Sequence, residues 1–358
     1  MIKKLKRKYL QGRLTNICDW ENRIKKICQK WLIKTPVVPK TDSRQSVFSK
    51  FFRKNGKQSI QVWQFGSLYI ALNESGFFTN KEDDYTILIE KQFDLKIIKD
   101  ADYGLLLFAL MDRIDFSTEI NSMISYIKDD ISEEGVILYK SYVKNVAFVD
   151  TLGFVCPFLI KYGLKNHDES YIELAKHQIK WYIKNGTEKH CELPFHAVRL
   201  TDKTTLGICD WARGLCWLLI ALMDGYIILK DNNREDEYLE EQIIKYANIL
   251  CSLQKSSGAY SWQLLSNKDS DSSATAVFGW YLACCYRLFK KKQYLNIAQK
   301  CRNYLMSITF NSGVIDYCQG DTISIGMYSR RFDKMPFAQA FTLRMQNELK
   351  NINKNFYA

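Results

Sequence analysis

Apolar residues recur at three- and four-residue spacing along most of the chain, the pattern of helices that bury one face. This pattern predicts eleven helices, at residues 4–33, 60–72, 101–112, 118–128, 145–162, 170–184, 208–229, 235–253, 272–289, 293–308 and 337–351. Short tracts with glycine and aromatic residues lie between them, at residues 135–139, 258–265 and 313–317. Helices that alternate with aromatic loops favour an all-α ring of helical hairpins around a funnel; an irregular bundle is the alternative.

Several predicted helix ends carry residues that favour termination. Gly163, Gly186 and Gly258 each follow a helical run, where glycine can adopt the left-handed cap conformation. Asp271, or one of the two serines after it, offers a side-chain oxygen to the helix that follows. We therefore expect the helices to end at these three glycines and a new helix to begin after Asp271.

The composition is that of a folded protein without a long disordered linker. The chain has 358 residues, of which 47% are hydrophobic and 14% aromatic, and it has only 5 prolines. One closed repeat architecture can use this whole length. We therefore predict a single domain over residues 1–358, with residues 1–55 as a peripheral helical segment.

The cysteines and the apolar runs indicate in which cellular compartment the protein is located. The chain has 11 cysteines, an odd number, and several lie in apolar helical stretches: Cys156, Cys209, Cys216, Cys284 and Cys285. Reduced, buried thiols fit this pattern better than a secreted disulfide framework. The basic N-terminal residues lack the features of a secretion signal. The apolar run 214–229 contains Asp224 and is shorter than a span of about 18–20 residues. We predict a cytoplasmic protein without stable membrane insertion.

The net charge of +12 allows a polyanionic partner, such as a nucleic acid, an anionic membrane or an acidic polysaccharide. No nucleic-acid-binding signature accompanies the lysines, many of which lie on predicted helix faces. The sequence also contains no glycine-rich phosphate loop, no GxSxG motif and no CxxC pair. These absences count against kinase, dinucleotide oxidoreductase, serine hydrolase and thiol-redox functions.

Asp150 is the first candidate for chemistry, because its carboxyl interrupts the apolar segment NVAFVDTLGFVCPFLIKYG. A buried carboxyl is costly unless it is paired, hydrogen-bonded or protonated. A raised pKa would make Asp150 a proton donor. The alternative is a structural carboxyl that caps the helix or is satisfied in the core. Gly153 and Pro157 in the same segment predict a bend or a close backbone approach.

A second dense segment is GICDWARGLCWLLIALMDGY. Asp210, Arg213 and Trp217 follow one another at three- and four-residue steps and would share one helical face, with Trp211 on its flank. A guanidinium among aromatic rings suits a sugar carboxylate, and indole rings can stack on sugar C–H faces. An arginine paired with an internal acid in a tryptophan-rich core is equally consistent with the pattern.

His196 lies in the predicted loop LPFHAVRL between two helices, where a lone histidine is more often structural. His190, Cys191 and His196 do not have the spacing of a zinc site, and no fourth ligand is local. We therefore predict no metal.

Six segments then occur in a characteristic order: VDTLGFVCPFLIKYG, FHAV, WARGLCW, GAYSWQLL, DSSATAVFGWYLA and MPFAQAFTLR. In this order the chain resembles glycoside hydrolase families 88 and 105, the unsaturated glucuronyl and rhamnogalacturonyl hydrolases, including relatives from bacterial capsule and exopolysaccharide loci. The resemblance runs from about residue 100 to about residue 344. It implies an (α/α)6 toroid of six helical hairpins that uses no metal and no cofactor.

The resemblance also implies roles for individual residues. Asp150 matches the acid that protonates C4 of a 4,5-unsaturated uronyl residue, after which water adds at C5 and the aglycone is lost. Either Asp100 or Asp102 matches a second acidic residue, and the sequence leaves that choice open. The remaining matches are to binding positions: Lys140, His196, Trp211, Arg213 and Trp217.

Three departures from the family pattern concern the substrate. Phe148 stands where a tryptophan is usual, Tyr139 stands where a histidine precedes the lysine, and Val198–Arg199 replaces a Trp-Asp pair. The acid stays in place, but an added cation and a lost carboxylate change which sugar fits.

The leading hypothesis is a carbohydrate-active enzyme with Asp150 as the proton donor. Arg213, Lys140 and Arg199 would meet the acidic sugar, and Trp211, Trp217 and Trp262 would be stacking platforms. The other predicted substrate-binding residues are His196 and Asp210. The alternatives are an accessory protein of polysaccharide biosynthesis, a catalytically silent glycan-binding toroid and, from charge alone, a nucleic-acid-binding protein.

Overall fold

The structure is a computed structural model that describes residues 7, 9–36, 38–39, 57–58, 61–78, 89, 93, 95, 98–113, 116–322 and 324–357. Within these residues the helices are α1 (Ile17–Ile33), α2 (Val62–Glu74), α3 (Tyr103–Leu110), α4 (Ser117–Asp129), α5 (Val149–Asn166), α6 (Glu169–Gly186), α7 (Ala212–Asp231), α8 (Glu237–Leu253), α9 (Ser272–Phe289), α10 (Lys292–Ser307) and α11 (Pro336–Tyr357). The strands are β1 (Val38–Pro39), β2 (Lys57–Gln58), β3 (Val146–Phe148), β4 (Ala197–Arg199), β5 (Thr205–Leu206), β6 (Cys318–Gln319) and β7 (Phe332–Asp333).

The chain forms two compact units. The first unit comprises Met1–Phe77 and Leu250–Ala358, and the second unit comprises Phe78–Ile249. In the first unit, α9 packs against α10 and α11, and α11 packs against α1 and α2. In the second unit, α5 packs against α3, α6 and α7. The prediction of a single domain remains a prediction.

Helix α7 is the apolar centre of the second unit. It has 20 residues, and by length and composition it could cross a membrane, so the expectation that this run is too short for a span was wrong. However, 89% of its apolar window is buried inside the protein, as in the core helix of a globular fold. Asp224, the acid that interrupts the run, is itself buried.

Small residues allow α7 to approach α5. A Cβ added to Gly153 of α5 would lie 2.9 Å from the backbone oxygen of Trp217 and 2.8 Å from its indole ring. These distances are too short for real Cβ contacts, so the two helix backbones can meet only at a glycine. This contact confirms the close backbone approach that the sequence predicted at Gly153.

The structure corrects several predicted helix ends. The helix predicted at residues 4–33 is interrupted at 11–16, where the backbone amide of Gly12 donates to Thr309 and the side chain of Asn16 caps α1. Gly163 does not end α5, which continues to Asn166 and closes at His167, a residue in the left-handed conformation. By contrast, Gly186 is the last residue of α6, as predicted.

Other predicted ends hold. Gly258 has a φ of +87° in the turn after α8, and the Asp271 carboxylate accepts the backbone amide of Ser273 at the start of α9. The three glycine-aromatic tracts form turns with isolated bridges, Ile131 to Ile137, Ser261 to Ser270 and Thr309 to Ile315.

No disulfide joins the 11 cysteines, all of which are among the described residues. Of the five predicted to be buried, Cys156, Cys216, Cys284 and Cys285 are buried. Cys209 is only half-buried, because it lies in the turn before α7 instead of within the helix.

A three-stranded antiparallel sheet in the second unit positions the start of α5. Residues 145–148 were predicted as helix, but Val146–Phe148 form β3, whose backbone pairs with β4. Strand β4 in turn pairs with β5. The sheet therefore links the segment before α5 to the loop that carries His196.

Candidate active site

Asp150 and His196 are brought together by the β3–β4 pairing. Phe148 pairs with Ala197 across the sheet, and the amide of Val149 donates to the carbonyl of His196 at 3.0 Å. Asp150, in the first turn of α5, therefore lies beside the imidazole. Its Oδ2 is 3.6 Å from Nε2 of His196.

His196 is enclosed by aromatic and cationic groups. Its ring is 4.5 Å from that of Trp211 and 5.8 Å from that of Phe148, measured between centroids. The residue is 4% exposed. Burial, reinforced by the positive charge of Arg213, lowers the pKa of His196 to about 3 despite the neighbouring carboxyl. The imidazole is thus neutral at neutral pH and can accept as well as donate a hydrogen bond.

The neutral imidazole predicts how stability depends on pH. The unfolded histidine binds a proton near its ordinary pKa of 6.5, whereas the folded one resists protonation down to about 3. The unfolded state therefore binds more protons in this window, and stability falls as the pH decreases. Between pH 6.5 and 5, we expect His196 to account for a loss of about 2 kcal/mol in unfolding free energy.

Urea unfolding of the wild type and of His196→Gln at pH 7 and pH 5 measures this contribution. The variant should lose less stability on acidification, since its amide does not titrate. An equal loss in both proteins would show that the folded imidazole takes up protons as the unfolded one does, and would contradict the lowered pKa.

Arg213 and Trp211 stand at the start of α7. Arg213 is 2% exposed, and its guanidinium carbon is 5.5 Å from the centre of the Trp211 ring. Asp210 lies in the turn before α7, so the predicted helical face shared by Asp210, Arg213 and Trp217 does not include it. Trp217 is on the helix, 1% exposed and 4.5 Å from Phe154, and it packs in the core.

Tyr139 and Lys140 contact two further acids of the second unit. The Tyr139 hydroxyl donates to Oδ1 of the buried Asp102 at 2.7 Å. Asp100 forms an isolated antiparallel bridge with Lys140, and its half-buried carboxyl faces the Lys140 charge. Burial raises the pKa of Asp100, opposed by Lys140 and by the backbone amide of Asp102. The Lys140 ammonium lies 5.2 Å from the Tyr139 ring centre.

Two predicted binding residues have other neighbours within their own units. The Arg199 guanidinium pairs with Asp202 at 2.9 Å, and both side chains are exposed. Trp262 belongs to the first unit, where its half-buried ring lies 6.1 Å from that of Tyr328.

A metal site and a cavity were further candidates for function. Among the described residues no group of three or more His, Cys, Asp or Glu side chains could hold a metal ion. A surface cavity of about 520 Å³ is lined by 129–134, Leu138, Lys144, Asn145, Leu200 and Thr201. None of the predicted site residues lines this cavity.

Comparison with protein families decides the class. The model described as Glycosyl Hydrolase Family 88 matches residues 59–347 of the 358 in the chain. The chain belongs to glycosyl hydrolase family 88. This family 88 chain is therefore a hydrolase that acts on glycans.

Solved structures show the fold of the family 88 chain. A possible member of glycoside hydrolase family 105 from Salmonella enterica serovar Paratyphi A is 17% identical, with a TM-score of 0.77 over 95% of this chain and 96% of that one. The unsaturated glucuronyl hydrolase of Bacillus sp. GL1 is 12% identical, with a TM-score of 0.65 over 92% and 94%. A heparin-specific unsaturated glucuronyl hydrolase is 16% identical, with a TM-score of 0.68 over 94% and 98%. These similarities confirm the all-α fold class of the six-hairpin toroid.

Comparison by sequence with curated proteins gives no match.

Tyr139 is the residue of this site that the sequence did not single out for a role. It was noted only as a departure from the family pattern. Its position directly before Lys140, in an aromatic tract, was the available signal.

Proposed function

We propose that this protein removes an unsaturated uronyl residue from a glycan by hydration of the C4–C5 double bond. The observation that carries the proposal is the Asp150 carboxyl 3.6 Å from a neutral imidazole, beside the buried guanidinium of Arg213. A carboxyl, a neutral base and a cation in one aromatic enclosure suit acid-catalysed addition of water to an anionic sugar.

The chemistry assigns each residue one task. Asp150 gives its proton to C4, and positive charge develops at C5 and on the ring oxygen. A water molecule adds at C5 and releases a proton, which the Asp150 carboxylate or the neutral His196 can accept. The hemiketal formed at C5 opens to a C5 ketone and leaves a hemiacetal at C1. This hemiacetal collapses to the C1 aldehyde as the aglycone leaves with the hydroxyl proton. Arg213 binds the sugar carboxylate at C5.

The similar structures support the substrate class in one respect. Two of them are named as unsaturated glucuronyl hydrolases, one for glycosaminoglycan degradation and one for heparin. Those names apply to those proteins. For this chain they favour an acidic, unsaturated sugar as the first substrate to test.

Defined disaccharides with a terminal 4,5-unsaturated uronyl residue test the proposal. The double bond absorbs in the ultraviolet, and its hydration removes that absorbance. We expect the absorbance to fall when the protein is added, and mass spectrometry to detect the released aglycone sugar. The saturated disaccharide of the same composition is the matched control, and it should remain intact.

The opposite outcome is equally informative. Unchanged absorbance, together with glycan binding measured by calorimetry, would contradict the hydration reaction and support a silent glycan-binding protein. Unchanged absorbance with another glycan product would indicate a different reaction in the same fold.

A further inference from the structure

Tyr139 lies among the three acids that the sequence proposed for catalysis. Its hydroxyl donates to Asp102 at 2.7 Å. Burial raises the pKa of Tyr139 well above its ordinary value, and the negative charges of Asp102, Asp150 and Asp100 raise it further. The phenol therefore stays protonated and donates to Asp102, within reach of the negative charges of Asp100 and Asp150.

The phenol packs between two aromatic side chains. Its ring lies 5.2 Å from Phe148 and 6.1 Å from Phe154, between centroids. The carbonyl of Tyr139 accepts the backbone amide of Ala101 at 2.9 Å, so the segments that carry the phenol and its acceptor are fastened together.

This arrangement separates the roles of the acids. Neighbouring carboxylates repel, so they do not ionise independently. A hydrogen-bond donor that contacts one carboxyl favours the ionised form of that carboxyl. The negative charge on that carboxylate then favours the protonated form of the neighbouring carboxyls. The Tyr139 hydroxyl donates its one hydrogen bond to Asp102. It has no second proton with which to donate to Asp100 or Asp150.

We propose that Tyr139 is a positioning residue, which holds negative charge on Asp102 and thereby keeps Asp150 protonated as the acid. The inference rests on the proposed function for the role of Asp150. It assigns Asp102, and not Asp100, as the second acidic residue of the site, a choice that the sequence left open.

Other charged and titratable groups also face these carboxyls, and the comparison must hold them constant. They are Lys140, which faces Asp100; Tyr126, which faces Asp100 and Asp102; and His196 with Arg213, on the side of Asp150. None is changed by removal of one phenolic oxygen, so Tyr139→Phe isolates the hydrogen bond.

The first measurement is the dependence of kcat/KM on pH for Tyr139→Phe. Activity requires protonated Asp150, so it declines as the pH rises through the titration of that carboxyl. Without the phenol, Asp102 holds less charge, and we expect this alkaline decline to move to lower pH by about one unit. A lower rate at every pH with an unmoved decline would indicate a structural role and overturn the proposal.

Asp102→Asn provides the second variant. It removes the charge directly, so it should shift the alkaline decline in the same direction. The double variant should shift no further than Asp102→Asn alone, because Tyr139 acts only through Asp102. Additive shifts would show that Tyr139 acts by another route, and would also overturn the proposal.

Carbon-13 NMR of aspartate carboxyl groups tests the same inference without turnover. The Asp150 resonance is assigned by its loss in Asp150→Asn. In Tyr139→Phe its titration midpoint should fall, whereas Tyr142→Phe, at a tyrosine that is 77% exposed, should leave it unchanged. An unmoved midpoint in Tyr139→Phe contradicts the positioning role. A moved midpoint without hydrolysis of any unsaturated uronyl sugar would reject the proposed function and retain the positioning role.

Discussion

Asp150→Asn is expected to lower turnover of an unsaturated uronyl disaccharide by about a thousandfold, the range of a lost general acid. Asparagine keeps the size of the side chain but has no acidic proton for C4. The Asp150 side chain is 16% exposed and sits in the first turn of α5, so the substitution should leave the helix intact. The rate of absorbance loss measures turnover, and circular dichroism with thermal melting measures folding.

Asp112→Asn is the matched control for charge. Asp112 is in the same unit, its side chain is 74% exposed, and it pairs with Lys161 at the surface. Loss of such a pair costs less than about 1 kcal/mol, and turnover should not change. If Asp150→Asn remains active while Asp112→Asn behaves as the wild type, the proton must come from another group.

Gly104→Ala is expected to destabilise the second unit by about 3 kcal/mol, the upper part of the range for overpacking. A Cβ at this position of α3 would clash with the backbone carbonyl oxygen of Phe154 in α5. Backbone cannot rotate away as a side chain can, so the helices must separate. Since Asp102 precedes α3 and Asp150 begins α5, this separation should also reduce activity.

Gly225→Ala is the control for this substitution. Its new Cβ would meet only the terminal methyl group of Ile160, at 2.7 Å, and that flexible group can shift. Alanine also favours a helix more than glycine does, by about 1 kcal/mol. Urea unfolding should show a large loss for Gly104→Ala and little change for Gly225→Ala. Equal stability of the two variants would mean that α3 and α5 are not in the described contact.

The parts of the fold that local pattern determines were predictable. Residues 272–289 were predicted as a helix, and α9 has those bounds; Asp271 caps its start, and its mostly apolar residues are buried as far as Tyr286. The segment Val146–Phe148 was misassigned, because a short apolar run suits a helix or a strand equally well. Its pairing with β4, about fifty residues further along the chain, decides the structure.

In the candidate site, too, some residues can be predicted from the local sequence and others only from long-range contacts. Asp150 and Arg213 stand out in sequence because charges are rare in apolar helices. The importance of Tyr139 depends on a contact with Asp102, 37 residues earlier, which no local pattern reveals. Arg199 was assigned to the sugar because it replaces an acid in the family pattern, but its guanidinium has a nearer partner in Asp202.

The β-sheet beside α5 has a consequence for how this enzyme could acquire new specificity. Its inner end holds Asp150 beside His196 through the Val149–His196 hydrogen bond, while its outer end closes in the turn from Arg199 to Thr204, where Thr201, Asp202 and Thr204 are exposed. Backbone bonds hold the inner end whatever side chains the turn carries. The exposed positions of the turn can therefore accumulate substitutions while Asp150 and His196 keep their spacing, which makes them suitable positions for directed evolution.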